Sequence, residues 1–246
     1  MKKIFGKIAA AFTAVAVASV GLVTAGLQSA QAATTTPADH IVINEVYGGG
    51  GNKGATHNRD FVELYNPTAQ AVSLTGWQIQ GFSKKGNTSN GSPVALSGTI
   101  ESGAYFVICG KLKPESTAAA PTCDIESNLD IGKDGASTKL LNNTGATIDL
   151  VGWGGSSLFE GTGAAVTDNP TSIQRINDGG DTNDNSADFK VGTPSPKAGN
   201  GGQKLLATGA QTQPSPPPAG GGDTGSSATP PPAPPIPPTA TITPIC

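Results

Sequence analysis

The groups in this chain that could do chemistry are acids, amides and two histidines. The densest run is Asp181-Thr182-Asn183-Asp184-Asn185, which sets oxygen-bearing side chains at alternate positions. Calcium loops use that spacing, because the ion gathers about six to eight oxygens at once. Asp178 and Asp188 flank the run, so Asp178, Asp181, Asn183, Asn185 and Asp188 are the candidate calcium ligands. The run departs from an EF-hand loop in two places. Ser186 stands where the sharp turn needs glycine, and Gly192 stands where a bidentate glutamate belongs. The competing reading is a turn whose Asx side chains bond their own backbone.

The other combinations are weaker. Glu45 and Glu63 have the residue types of a hydrolytic carboxylate pair. Nothing in the sequence sets their separation, and no aromatic groove accompanies them. Both fall on strand-like segments, where a buried carboxylate needs partners. A pair between Arg175 and either acid is the structural expectation, since Arg59 and Arg175 are the only arginines. Gly48 to Gly51, followed by Asn52-Lys53-Gly54, has the glycines and lysine of a phosphate loop. It lacks the required Gly-Lys-Ser/Thr order and a following helix, so it reads as a flexible connection between strands. His40 and His57 lie outside any Gly-x-Ser-x-Gly or His-Glu-x-x-His arrangement. No catalytic constellation emerges, and calcium is the one cofactor that the residues suggest.

The elements that must position these residues are strands. The chain has 34 glycines and 20 prolines among 246 residues, with only 13% charged. Many turns and few helix formers point to an all-β domain. Strands are expected over 40–47, 61–65, 76–81, 104–109, 138–141 and 147–153. Asn66-Pro67 ends the second, because proline has no ladder donor and restricts the residue before it. Leu74-Thr75-Gly76-Trp77 reads as a tight turn that delivers Trp77 to the core. Ala104 to Cys109 is a nearly continuous apolar run, hence a central strand. No stretch of the domain has a sustained 3.6-residue apolar repeat. The set suits a two-sheet sandwich with one long insertion.

Three regions follow from composition. Lys2, Lys3 and Lys7 precede an apolar run that ends in Ser29-Ala30-Gln31-Ala32-Ala33. That is the layout of a secretory signal peptide over 1–32, cut after Ala32. The run is long enough for a retained anchor, but the small residues at the cleavage site favour removal, which leaves no membrane segment. The folded domain is expected over 38–200. From 201 to 246 the chain is rich in Pro, Gly and Ser, as in Pro216-Pro217-Pro218 and Gly220-Gly221-Gly222. Such a stretch buries too little apolar surface to offset its chain entropy, and reads as a disordered linker or tail.

Removal of three lysines leaves 12 basic against 18 acidic residues, a net charge of −6. A chain of that balance offers no electrostatic footprint for phosphate backbones, so strong nucleic-acid binding is not expected. Export permits disulfides. Cys109 and Cys123, 14 apart, are the natural pair, while Cys246 leaves two other pairings open. Without a Cys-x-x-Cys or a nearby His, zinc and redox roles are disfavoured.

Three segments carry a family likeness. They are Ile41 to Gly51 with Asp60-Phe61-Val62-Glu63-Leu64-Tyr65-Asn66-Pro67; Val72-Ser73-Leu74-Thr75-Gly76-Trp77; and Ile148-Asp149-Leu150-Val151-Gly152-Trp153-Gly154. Ser172-Ile173-Gln174-Arg175 and the stretch Asp181 to Phe189 add to it. Together they resemble the lamin-tail domain family of bacterial extracellular proteins, over nearly all of 40–197. The resemblance implies an immunoglobulin-like β-sandwich that docks partners rather than reacting with them. The expectation is therefore a secreted, non-catalytic binding or interaction module for an extracellular protein or glycan. Two alternatives stand beside it. One is the accessory N-terminal region of a truncated extracellular endonuclease/exonuclease/phosphatase-type nuclease. The other is a wall- or matrix-associated structural protein.

Overall fold

The computed structural model describes residues 36–209. The expected signal peptide, Cys246 and the Pro-rich residues from 210 onward lie outside them. Among the described residues no helix is long and apolar enough to cross a membrane.

Twelve strands and a single helical turn are present among the described residues. The strands are β1 (Val42–Tyr47), β2 (Phe61–Tyr65), β3 (Val72–Ser73), β4 (Gln78–Ser83), β5 (Val94–Ala95) and β6 (Thr99–Ile100). They continue with β7 (Tyr105–Cys109), β8 (Ile125–Glu126), β9 (Ala136–Leu141), β10 (Thr147–Trp153) and β11 (Ser172–Arg175). The turn α1 (Asn185–Asp188) leads directly into β12 (Phe189–Gly192). One sheet has the order β12-β11-β1-β2-β7-β8 and the other β10-β9-β4-β5, with β3 and β6 forming a small third pair. The protein is an all-β, immunoglobulin-like sandwich.

The inner faces meet in one cluster that includes Ile43, Val46, Val62, Leu64, Ile79, Ile108, Leu140, Val151, Trp153 and Ile173. Trp153 is its largest fully buried side chain. The expectation for Trp77 was wrong in this respect. The turn forms, with Trp77 N–H donating to Leu74 O at 3.0 Å, but the residue it inserts is Leu74. Trp77 precedes β4 and packs only partly against the core margin.

Strand β1 carries an irregularity that matters below. Ile43 pairs with Leu64 and Val46 with Val62, while Glu45 pairs with Glu63 and Tyr47 with Phe61. Two core residues three apart break the period of two, so one extra residue must be absorbed. The register shifts between Ile43 and Glu45, which makes Asn44 the bulge. Its carbonyl, freed from the ladder, accepts from Asn200 Nδ2 at 3.0 Å.

The six-stranded sheet is covered on its outer face as well. Tyr47, Phe61, Val107 and Cys109 form a second apolar cluster there, closed by Cys123. Cys109 and Cys123 are disulfide-bonded, with Cα atoms 5.7 Å apart. Beside this cluster, the chain after β12 crosses the same face. It stays packed beyond the expected limit at 200: Tyr65 Oη donates to Leu205 O at 2.9 Å, and Ala207 N–H to Pro67 O at 2.8 Å. Leu205 itself is buried. The glycine-rich composition that suggested a tail here conceals a closing strap.

The disulfide closes a loop of sequence separation 14, so Cys123→Ala should lower unfolding free energy by about 3 kcal/mol. The urea midpoint in the absence of reductant measures this. An unchanged midpoint would show that the 110–124 segment is held by its other contacts alone.

Candidate functional site

Arg175 ends β11 with its guanidinium completely enclosed. It sits on the core side of the sheet because β11 alternates: Ile173 faces Val46 in the core, Gln174 faces Glu45 on the outside, and Arg175 turns inward again. Every nitrogen of the group is engaged. Nε donates to Ile43 O at 2.9 Å, and Nη2 to Asp149 Oδ2 at 2.7 Å. Nη1 donates to Gly180 O at 2.7 Å and Asp188 Oδ2 at 3.2 Å, with Asp181 Oδ1 at 3.4 Å. The Phe189 ring lies 4.7 Å from its central carbon. The expected pairing of Arg175 with Glu45 or Glu63 is thus overturned, because those acids point to the opposite face of the sheet.

Asp149 belongs to β10, in the other sheet. Its Oδ2 accepts from both Arg175 and Ile43 N–H, so the ion pair spans the sandwich. Glu160 and Asp181 approach the same point: one oxygen from each of Asp149, Glu160 and Asp181 lies within 4.8 Å of the others. Burial, with the Asp149 and Asp181 charges beside it, lifts the Glu160 carboxyl to about 7. His40 Nε2 stands 3.3 Å from Asp181 Oδ2, and that carboxylate raises the imidazole to about 9. Burial pushes Asp181 upward, but His40 and Arg175 outweigh it and hold the carboxylate well below its usual range.

The five candidate calcium ligands do not converge. Asp178 lies across the sheet, where its oxygens accept from Asn44 Nδ2, Asn200 N–H and Tyr105 Oη. Asn185 Oδ1 accepts from Gly152 and Glu160 N–H. Asp188 binds Arg175 and Thr182. Asn183 is exposed with φ of 57°, its N–H donating to Asp181 Oδ1. Most of the run therefore serves as Asx turns and caps. Only Asp181 joins the acidic cluster. Asp149 and Glu160 escaped the sequence reading, although Asp149 alternates with Val151 and Trp153 on an inward face. An acid at a core position calls for a cation, and the chain has two arginines.

Glu45 and Glu63 are direct cross-strand partners, both fully buried on the outer face. Glu45 accepts from Ser172 Oγ, Gln174 Nε2 and Ser195 N–H. Glu63 accepts from Asn44 Nδ2 at 3.1 Å and Lys197 N–H at 2.6 Å. Burial raises Glu45, and burial with Glu45 nearby raises Glu63 to about 8. The closing strap that supplies Ser195 and Lys197 seals both acids beneath it.

Gly48 to Gly50 are also buried and packed rather than flexible. A Cβ on Gly49 would lie 2.3 Å from Asn169 O, and one on Gly50 would lie 2.0 Å from the Arg59 carbonyl carbon. Close backbone approach, not phosphate binding, accounts for these two glycines. The loop opens only afterwards. Gly51 to Ala55 and Glu115 to Ala118 wall a depression of about 360 Å3 that includes Lys53. His57 lies behind this loop, 5.8 Å and 5.9 Å between ring centres from Tyr47 and Phe61, and burial lowers its pKa.

In comparison with known families, residues 34–155 match the model described as the Lamin Tail Domain. The match covers β1 through β10 and stops before Arg175 and the Asx-rich run, which the sequence resemblance also took in. No curated protein matches the chain.

Removing one partner of a buried ion pair leaves uncompensated charge and costs about 3–5 kcal/mol. Arg175→Met should lose that much, read from urea unfolding. A pH dependence follows from the outer face. Glu63 has a folded value of about 8, above its ordinary 4.5, so it holds its proton better folded than unfolded. Its contribution is complete below about pH 4.5 and is lost as pH rises through about 8. Asp60, lifted by burial to about 7, and His40, raised to about 9, act in the same direction. The melting midpoint should fall between pH 5 and pH 8.5, and Glu63→Gln should flatten the slope.

Proposed function

Residues 34–155 belong to the lamin tail domain family, and from that premise we propose that the chain is a secreted interaction module for an extracellular protein or glycan. The family is a non-catalytic, immunoglobulin-like one, which supports an interaction module in general. The observation that carries the fuller reading is the separation of reactive groups from accessible surface. Glu45, Glu63 and Asp60 are enclosed and held by protein donors. An accessible depression is instead walled by Gly, Ala, Asn, Ser and Thr of two loops, with Lys53 and Glu115 as its charges. Loops on a rigid sandwich are where such folds carry recognition. A wall of amides, hydroxyls and backbone groups suits a hydrogen-bonding surface better than an apolar small molecule. The Cys109–Cys123 bridge supports an oxidising compartment, and so agrees with export.

Three measurements test this. The chain incubated with plasmid DNA in magnesium and calcium should leave the plasmid intact and show no tight, salt-sensitive retention; cleavage surviving stringent purification would replace the module with an enzyme. Expressed with its leader in a bacterial host, the protein should be recovered from the medium with Ala33 as its first residue. An uncleaved chain held in the membrane fraction would refute secretion. On a glycan array and a panel of cell-surface proteins, Lys53→Glu combined with Thr117→Trp should abolish whatever binding the unaltered chain shows, at unchanged melting temperature. Binding that persists in the double variant would move the recognition surface elsewhere.

A further inference from the structure

The cluster around Arg175 is out of charge balance. Asp149, Glu160, Asp181 and Asp188 bring four carboxylates, against Arg175 and His40. Asp188 is committed to Arg175 and Thr182. The other three converge, with one oxygen of each within 4.8 Å of the others. One atom there is unmatched. Asp149 Oδ2 accepts two hydrogen bonds, but Oδ1 of the same fully buried carboxylate has no hydrogen-bond partner. An enclosed acceptor without a donor is costly and calls for an occupant. A neighbouring carboxyl can donate to it only while it holds a proton, and Glu160, lifted to about 7, does so only in part at neutral pH. A cation can meet all three at once.

Three carboxylate oxygens within 4.8 Å of one another suit a hard divalent cation. Calcium, with flexible coordination by about six to eight oxygens, accepts an irregular set of this kind, whereas magnesium demands near-ideal octahedral geometry. A divalent ion also offsets the surplus of carboxylates over cations. We propose that Asp149, Glu160 and Asp181 form a calcium site at the margin between the two sheets. Glu160 is only half-buried, which leaves an approach from solvent. Three side-chain oxygens leave room for water in the remaining positions, as in extracellular modules with dissociation constants of about 0.1–1 mM. The site joins β10, the loop that follows it and the segment after β11. Calcium would therefore clamp the segment after β11 to β10 and the loop that follows it.

The test uses the full-length chain, stripped with chelator, with its melting midpoint followed against calcium chloride and magnesium chloride. Calcium at 10 mM should raise the midpoint by roughly 5 °C, and magnesium by much less. Glu160→Gln keeps the size of the side chain and spares the Arg175 pairs. It should weaken the calcium response at least tenfold in concentration. Asn183→Gly removes an oxygen of the Asx-rich run at a position whose φ of 57° suits glycine, and should leave the response intact. Absence of any calcium shift, or a shift that survives Glu160→Gln, overturns the site. A shift lost in Asn183→Gly but kept in Glu160→Gln would also overturn it, in favour of the Asx-rich loop.

Discussion

A single buried guanidinium ties this sandwich together. Arg175 contacts β1 through Ile43 O, the opposite sheet through Asp149, and the chain after β11 through Gly180, Asp181 and Asp188. A cation withdrawn from water is tolerable only when its donors are all matched, and an incomplete set would cost several kcal/mol. The geometry of four segments is therefore coupled to one side chain. Asp149 extends the coupling, since the same oxygen that meets Arg175 also receives the Ile43 N–H next to the β1 bulge. Ion pair and bulge are parts of one arrangement.

The bulge has an equal effect on the outer face. By absorbing Asn44, it keeps Ile43 and Val46 in the core while Glu45 and Glu63 meet on the far side. Two carboxylates placed opposite each other would repel in an open sheet. Here the strap through Ser195, Lys197 and Asn200 covers them with donors and closes over Tyr65 and Asp178. The disulfide-closed segment covers the remaining apolar part around Phe61 and Val107. The six-stranded sheet is thus covered on both faces by the chain itself and leaves little flat surface exposed. The depression between Gly51 to Ala55 and Glu115 to Ala118 lies instead between two loops.

Much of the frame was legible from local pattern. Strands at 61–65 and 147–153 have the expected bounds, and the apolar run at 104–109 forms β7 (Tyr105–Cys109), flanked on both sides by β2 and β8 as expected of a central strand. Asn66-Pro67 ends β2, with the Asn66 side chain accepting from Thr68 N–H and donating to Gln70 O and Ile100 O. Cys109 and Cys123 pair as their spacing suggested. The two-residue strands β3, β5, β6 and β8 were not foreseen, because two residues hold no periodicity. Of the candidate site, Asp181 was found and Asp149 and Glu160 were not: local oxygen spacing pointed to a loop, whereas the cluster gathers acids 11, 21 and 32 positions apart.

The sequence by itself determined the β class, the six longest strands, most turn residues, the favoured cysteine pair and the family likeness. These depend on alternation, on backbone permissiveness and on short-range spacing, all of which are written along the chain. Tertiary structure decided which acids share Arg175, that Trp153 rather than Trp77 fills the core, that Gly49 and Gly50 are packed rather than flexible, and that residues 201–207 continue as a packed strap. Each of these turns on which residues distant in sequence meet in the low-dielectric interior. There the cost of an unmatched charge or an unfilled volume is settled by the partner across the sandwich, not by the neighbour in the chain.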